Sequence, residues 1–406
     1  MATMGVIADD FTGATDIATA YAARGYRTEV LTGRTAAAAP GADVVVIALK
    51  TRTAPVETAV TESLAAHDRL VAAGHTRFTV KYCSTFDSTD RGNIGPVLDA
   101  LVQRTGASRC VVVPAFPANG RTTYQGHLFV GSDLLEHSSM RHHPLTPMTR
   151  SRIADLLVPQ TSRSVDEVHL AVVRQGAAAV RAALDATDAQ YLVVDAVDDE
   201  DLGVIAAATA DDVLRSGGSG LAIGTAPGGS DTATSFVAAP GRRLVVCGSA
   251  SARTREQIAA AAAAGSPTRR LDVARLATDP EGEVADTLTW LTDQPEGSAP
   301  VVFSVGDPDD VSDDAASSAR IEHALSEVVA QAVPLGFTRC IVAGGETSGA
   351  VVSRLGIERL TVGAVIAPGV CWAEGVTSAG ERIAIALKSG NFGAPDMYTT
   401  AWEALA

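Results

Sequence analysis

The chain has 406 residues, 46% of them hydrophobic, and a formal net charge of −15 at pH 7. That length exceeds one ordinary core and suggests two domains of roughly 150–200 residues each, with no apolar run reaching the ~20 residues that span a bilayer. The negative charge excludes a broad phosphate-neutralising face, so neither nucleic acid nor a membrane surface is expected as a partner.

The first residues, Met1 to Asp10, lack the basic flank and cleavage site of a signal peptide. Cys83, Cys110, Cys247, Cys340 and Cys371 are scattered without a Cys-x-x-Cys pair, as expected of reduced thiols in a cytoplasmic protein. Lysine is scarce: Lys50, Lys81 and Lys388 stand among 32 basic residues.

In chain order, strands are expected at Met4–Ala8, Val44–Leu49, Phe78–Tyr82, Cys110–Val113, Tyr191–Asp195 and Leu221–Gly224. A second set follows at Leu244–Cys247, Val301–Val305, Cys340–Ala343 and Ile383–Leu387. Continuous apolar strands alternating with Ala-rich helical stretches read as parallel sheets covered on both faces. The fold class is α/β, with ligands expected beyond the carboxyl ends of the strands. Gly224–Arg243, rich in Gly, Pro and Ser, reads as a domain junction. Pro-rich Arg141–Met148 and acidic Asp307–Asp314 read as loops.

The first strand runs into Asp9-Asp10-Phe11-Thr12-Gly13, with Thr12 a candidate N-cap and a helix beginning near Ala14. Paired carboxylates there suit hydroxyl binding, a magnesium contact or proton abstraction; Asp10 and Thr12 could equally serve as caps. After Phe78–Tyr82 comes Lys81-Tyr82-Cys83-Ser84-Thr85-Phe86-Asp87-Ser88-Thr89-Asp90-Arg91-Gly92-Asn93, leading into a helix with Pro96 in its first turn. Lys and Arg suit the carboxylate of a polyhydroxy acid, and Asp and Ser suit its hydroxyls; a polar loop capping its own helix is the plainer alternative. Pro114–Thr123 is a rigid loop presenting Asn119 and Arg121. His137, His142 and His143 lack standard metal-ligand spacing and read as solvated.

In the second half, Gly248-Ser249-Ala250-Ser251 leads into a helix expected near Thr254. Gly344-Gly345-Glu346-Thr347-Ser348-Gly349 opens another, and Lys388-Ser389-Gly390 follows the last strand. A small-residue turn at a helix N-terminus turns backbone N–H groups toward an anion, so these are candidate phosphate turns. Neither a Walker Gly-Lys-Ser/Thr triplet nor a Gly-x-Gly-x-x-Gly fingerprint is present, which disfavours a dinucleotide oxidoreductase.

At these segments the chain resembles the four-carbon acid sugar kinases, within them the 3-oxo-tetronate kinase branch. The matching stretches are Ile7–Ala14, Lys81–Pro96, Pro114–Gly131, His143–Thr149, Ala343–Val351 and Ala386–Gly393. The resemblance implies a sugar-acid-binding domain over 1–230, a linker over 231–243, a nucleotide-binding domain over 244–406, and an active site in the cleft between domains. It implies ATP with magnesium, and a terminal hydroxyl of 3-oxo-tetronate as acceptor; threonate or erythronate, or a non-catalytic sugar-acid sensor, are the alternatives. Substrate contacts would fall on Asp9, Asp10, Lys81, Ser84, Asp87, Ser88, Arg91 and Asn93, with Asp87 or Asp10 as the base. Nucleotide contacts would fall on Ser249, Ser251, Gly344, Gly345, Glu346, Thr347 and Gly390. Asp90 departs from the leucine usual in the family and could weaken the grip of Arg91. A homodimer is left open.

Overall fold

The structure is a computed structural model, described over residues 4–33, 41–143, 145–228, 236, 238–307 and 315–405. The chain divides into two compact units, residues 1–29 with 37–233, and residues 30–36 with 234–406. Much of the expected linker 231–243, most of Asp307–Asp314, and Pro144 of the Arg141–Met148 loop lie outside the described residues.

In the first unit a parallel sheet runs in the order Val44–Ala48, Met4–Ala8, Arg77–Lys81, Leu214–Gly217, Cys110–Val113, Tyr191–Val194 and Val165–Val168. Most of these strands are buried along their whole length, as β-branched runs covered on both faces must be. Register decides the rest: Ala8 lies opposite both Ala48 and Lys81, so three strand ends finish level. The loops after them, beginning at Asp9, Leu49 and Tyr82, are therefore neighbours.

Two expectations fail here. Leu221–Gly224 is not a strand; Gly220–Ile223 is a short helix, and the strand is Leu214–Gly217 just before it. That strand reads as polar, yet Arg215 and Ser216 are buried between two apolar strands. Its glycine is there for close approach: a Cβ on Gly217 would stand 2.2 Å from the Val113 carbonyl oxygen. Nor does Thr12 cap the first helix, which spans Phe11–Ala23 with Asp10 as N-cap. A small antiparallel sheet, Arg121–Tyr124, His127–Val130 and Asp133–Leu134, takes up the end of the Pro114–Thr123 loop. Its turn, Gln125-Gly126, has positive φ at both residues, the two-residue form that strand twist favours.

The second unit orders its strands as Thr268–Arg270, Val301–Phe303, Arg243–Cys247, Arg339–Ala343, Arg382–Lys388, Val370–Val376 and Arg359–Ala367. The last two pairings are antiparallel; the others are parallel. Its core centres on Trp372, whose ring lies 5.3 Å from that of Trp402 and whose indole donates to the Ala401 carbonyl. Among the described residues no helix is long and apolar enough to cross a membrane.

Candidate active site

A pocket in the first unit opens where the three level strands end. Asp9, Thr51, Arg52, Asp87, Ser88 and Asn93 form its polar wall, and Ile7, Val80, Tyr82, Ile94 and Val97 its apolar one. Arg52, which the sequence reading passed over, organises the charge. Its Nε and Nη2 donate to Asp9 Oδ2 and Oδ1 at 3.0 and 2.7 Å, and Nη2 also lies 2.8 Å from Asp10 Oδ1. Nη1 faces Asp87 Oδ2 across 3.9 Å. The available signal was a basic residue just past an apolar strand; its weight comes only from the strand register.

Asp10 is fully engaged: Oδ1 also accepts from the Gly13 amide at 2.8 Å, and Oδ2 from the Thr12 hydroxyl at 2.6 Å. Burial pushes its carboxyl upward, but Arg52, Lys81 and these hydrogen bonds outweigh that and hold it below the usual range. For Asp9 burial outweighs Arg52, and its carboxyl is raised. The same two carboxylates hold the Arg52 guanidinium well above its ordinary value, against the effect of burial.

Asp87 differs. Oδ1 accepts from the Thr85 hydroxyl at 2.6 Å, and no hydrogen bond ties Oδ2 among the described residues. It follows Phe86, and both have positive φ, 65° and 28°. Such a pair of left-handed residues costs of order 1–3 kcal/mol each. The fully buried Phe86 ring, edge-on to Tyr82 at 5.4 Å, holds the turn in place.

Other predicted residues make bonds within the protein. Lys81 is buried, donating to the Tyr82 carbonyl at 2.9 Å and standing 3.7 Å from Asp16. Strand alternation explains this: Val80 and Tyr82 line the pocket, so Lys81 faces the opposite side. Asn93 donates from Nδ2 to the carbonyls of Thr51, Ala54 and Arg52, which ties down the loop carrying Arg52. Ser88 donates to Gln160 Oε1 at 2.9 Å, leaving its lone pairs for the pocket. Ser84 is buried; Arg91 is exposed, and Asp90 pairs with Arg150.

In the second unit, Arg243–Cys247, Arg339–Ala343 and Arg382–Lys388 are adjacent and parallel, with Cys247 opposite Ala343 and Ala343 opposite Lys388. This brings the Gly248–Ser251, Gly344–Thr347 and Lys388–Gly390 turns together. The helix over Gly345–Arg354 has Gly344 at its N-cap and no side-chain cap, which suits an anion. The next helix, Ala252–Ala263, starts two residues earlier than expected, with Ser251 as N-cap. The Gly390 carbonyl accepts from Ser251 Oγ at 2.6 Å, Thr254 Oγ1 at 3.0 Å and Lys388 Nζ at 2.8 Å. Ser251 thus binds one turn to another, while Ser249 Oγ accepts from the Ser251 amide at 3.2 Å. The glycines leave no room for side chains: a Cβ on Gly248 would stand 2.2 Å from Thr347 Oγ1, and one on Gly390 2.4 Å from Ser249 Oγ.

Lys388 is fully buried. Burial pushes its ammonium down to about 7, although its three acceptors favour the charged form. The sign of the consequence follows by linkage. Below about 7 both states hold the proton; between about 7 and the ordinary 10.5 only the unfolded chain does, so stability rises with pH across that window. Subtracting the denaturation free energy of Lys388→Met from that of the native chain at each pH should reveal a slope of up to about 1.4 kcal/mol per pH unit. A flat difference from pH 7 to 10 would refute the shift.

Among the described residues no group of three or more His, Cys, Asp or Glu is placed to hold a metal ion; His143 instead accepts from Thr146. Residues 4–225 match the model of a sugar-binding N-terminal domain, and residues 244–398 that of a nucleotide-binding C-terminal domain. The chain is 42% identical to a 3-oxo-tetronate kinase of Burkholderia multivorans, over 99% of this chain and 97% of that protein. It is 41% identical to one of Cupriavidus necator over the same shares. Among solved structures it resembles a Salmonella typhimurium LT2 protein described as a tRNA synthase, with a TM-score of 0.87 and 39% identity over 99% of each chain. A Haemophilus influenzae protein gives a TM-score of 0.76 at 39% identity, over 99% of this chain and 100% of that one.

Proposed function

The chain belongs to the four-carbon acid sugar kinases, in their 3-oxo-tetronate kinase branch, and from this we propose that it transfers the γ-phosphate of ATP to the 4-hydroxyl of 3-oxo-tetronate. The observation that carries the reading is Asp87: a carboxylate in the pocket of the sugar-binding unit, with one oxygen fixed by Thr85 and the other open. Both oxygens of Asp10 are engaged, so Asp87 is the better base and Asp10 the anchor of Arg52 and the helix.

The C4 hydroxyl passes its proton to Asp87 Oδ2 as the C4 oxygen forms its bond to the γ-phosphorus; the bond from γ-phosphorus to the β-bridging oxygen breaks, and ADP leaves with the electron pair. The N-terminal turn of the Gly345–Arg354 helix, which has no side-chain cap, the Ser249 hydroxyl and the Gly390 turn are the proposed cradle for the phosphates, with Ser251 and Lys388 holding that turn. The glycines fit such a cradle, because a Cβ would fill the space between turns. Magnesium is proposed to enter with the triphosphate, in keeping with an ion that keeps its waters and binds through phosphate oxygens.

A tRNA ligand is not supported by a chain carrying −15. Among the described residues the cysteines form no disulfide, and four of the five are buried, which supports a reducing, cytoplasmic setting. ADP release measured with 3-oxo-tetronate, threonate and erythronate, with and without magnesium, tests the reading. Magnesium-dependent turnover greatest on the oxo acid is expected. Tight binding of an acid without any ADP release would favour a sensor instead.

A further inference from the structure

Arg52 presents an unused donor to the pocket. Nε and Nη2 are committed to Asp9 and Asp10, whereas Nη1 has no hydrogen-bond partner among the described residues. The atom that faces it, Asp87 Oδ2 at 3.9 Å, is an acceptor equally without one. Asn93 pins the backbone that carries Arg52 through three carbonyls, so the donor is held in place rather than free to swing. Ser88, on the same wall, offers only lone pairs because Gln160 takes its proton.

We propose that Arg52 determines specificity for the 3-oxo group: Nη1 donates to the C3 carbonyl oxygen while Asp87 Oδ2 accepts the proton of the C4 hydroxyl. A donor beside an acceptor is the complement of a hydroxymethyl ketone, whose carbonyl oxygen only accepts and whose neighbouring hydroxyl donates. The inference rests on the kinase reading above and extends it to the choice among four-carbon acids. With threonate or erythronate the carbon-3 oxygen can still accept from Nη1, but it also brings a proton that no atom of this fork can accept. The wall also carries the negative charge of Asp9 and Asp87, and Asp10 pairs with the same single guanidinium. It is therefore fitted to the hydroxyketone end of the acid rather than to its carboxylate.

The test compares kcat/KM on 3-oxo-tetronate with kcat/KM on threonate and erythronate, in the native chain and in Arg52→Lys. Lysine keeps a positive charge for Asp9 and Asp10 but cannot reach across as a planar fork. The native chain is expected to favour the oxo acid by about tenfold or more. Arg52→Lys is expected to lose at least about tenfold on the oxo acid and less on the others, so that the ratio falls toward one. Unchanged ATP affinity in the variant reports that the fold is kept, and calorimetric affinities for the three acids supply the ratio if turnover is too slow. An unchanged ratio, with all three acids losing equally, would overturn the proposal and leave Arg52 as a support for Asp9 and Asp10. A native chain that phosphorylates threonate or erythronate without preferring the oxo acid overturns it too, with the kinase reading intact. No turnover on any of the acids removes both.

Discussion

Asp87→Asn is expected to lower turnover by about 10²-fold or more and to leave ATP affinity unchanged. The substitution isolates proton acceptance because everything else at the position can stay. Asparagine tolerates the left-handed backbone that Asp87 adopts, with φ at 28°, and its carbonyl oxygen can still accept from Thr85. What disappears is the basic oxygen facing the pocket. Turnover is read from ADP release at saturating substrate, and nucleotide affinity from calorimetry. Near-normal turnover would remove Asp87 from the role of base and return it to Asp10, the other candidate.

Gly344→Ala is expected to weaken ATP binding by about 10–100-fold while acid binding to the sugar-binding unit is unaffected. Gly344 has φ of +124°, a conformation essentially confined to glycine, and an added Cβ would lie 3.1 Å from Thr347 Oγ1 and 3.2 Å from the Ser249 amide. A strain of about 1–3 kcal/mol falls on the turn whose amides are proposed to meet the phosphates, and each 1.4 kcal/mol is tenfold in affinity. Titration of each variant with ATP and, separately, with the acid measures both halves. A loss of acid binding equal to that of ATP would show general unfolding instead.

Much of this was legible along the chain. The alternation of apolar strands with helices gave the α/β class, because burial on both faces demands it. The loop Lys81–Asn93 and the three glycine turns stood out by residue chemistry alone, since helix N-termini and tight turns need particular residues close in sequence. The Pro368-Gly369 dipeptide between two apolar runs was a hairpin signal that went unread; it joins the antiparallel strands Arg359–Ala367 and Val370–Val376. Leu214–Gly217 was hidden for a better reason. Its polar residues are buried by neighbours that lie far away in sequence.

The sequence by itself determined the fold class, the family and which loops carry chemistry. Only the tertiary structure decided which side chains of those loops face the pocket. Lys81 turns to Asp16, Asn93 to the Arg52 loop and Ser88 to Gln160, while Arg52 enters from a third loop because Ala8, Ala48 and Lys81 end level. Turn chemistry and periodicity are set by residues a few positions apart. Which donors remain open in a pocket is set by hydrogen bonds between residues tens of positions apart, and those exist only once the strands have paired.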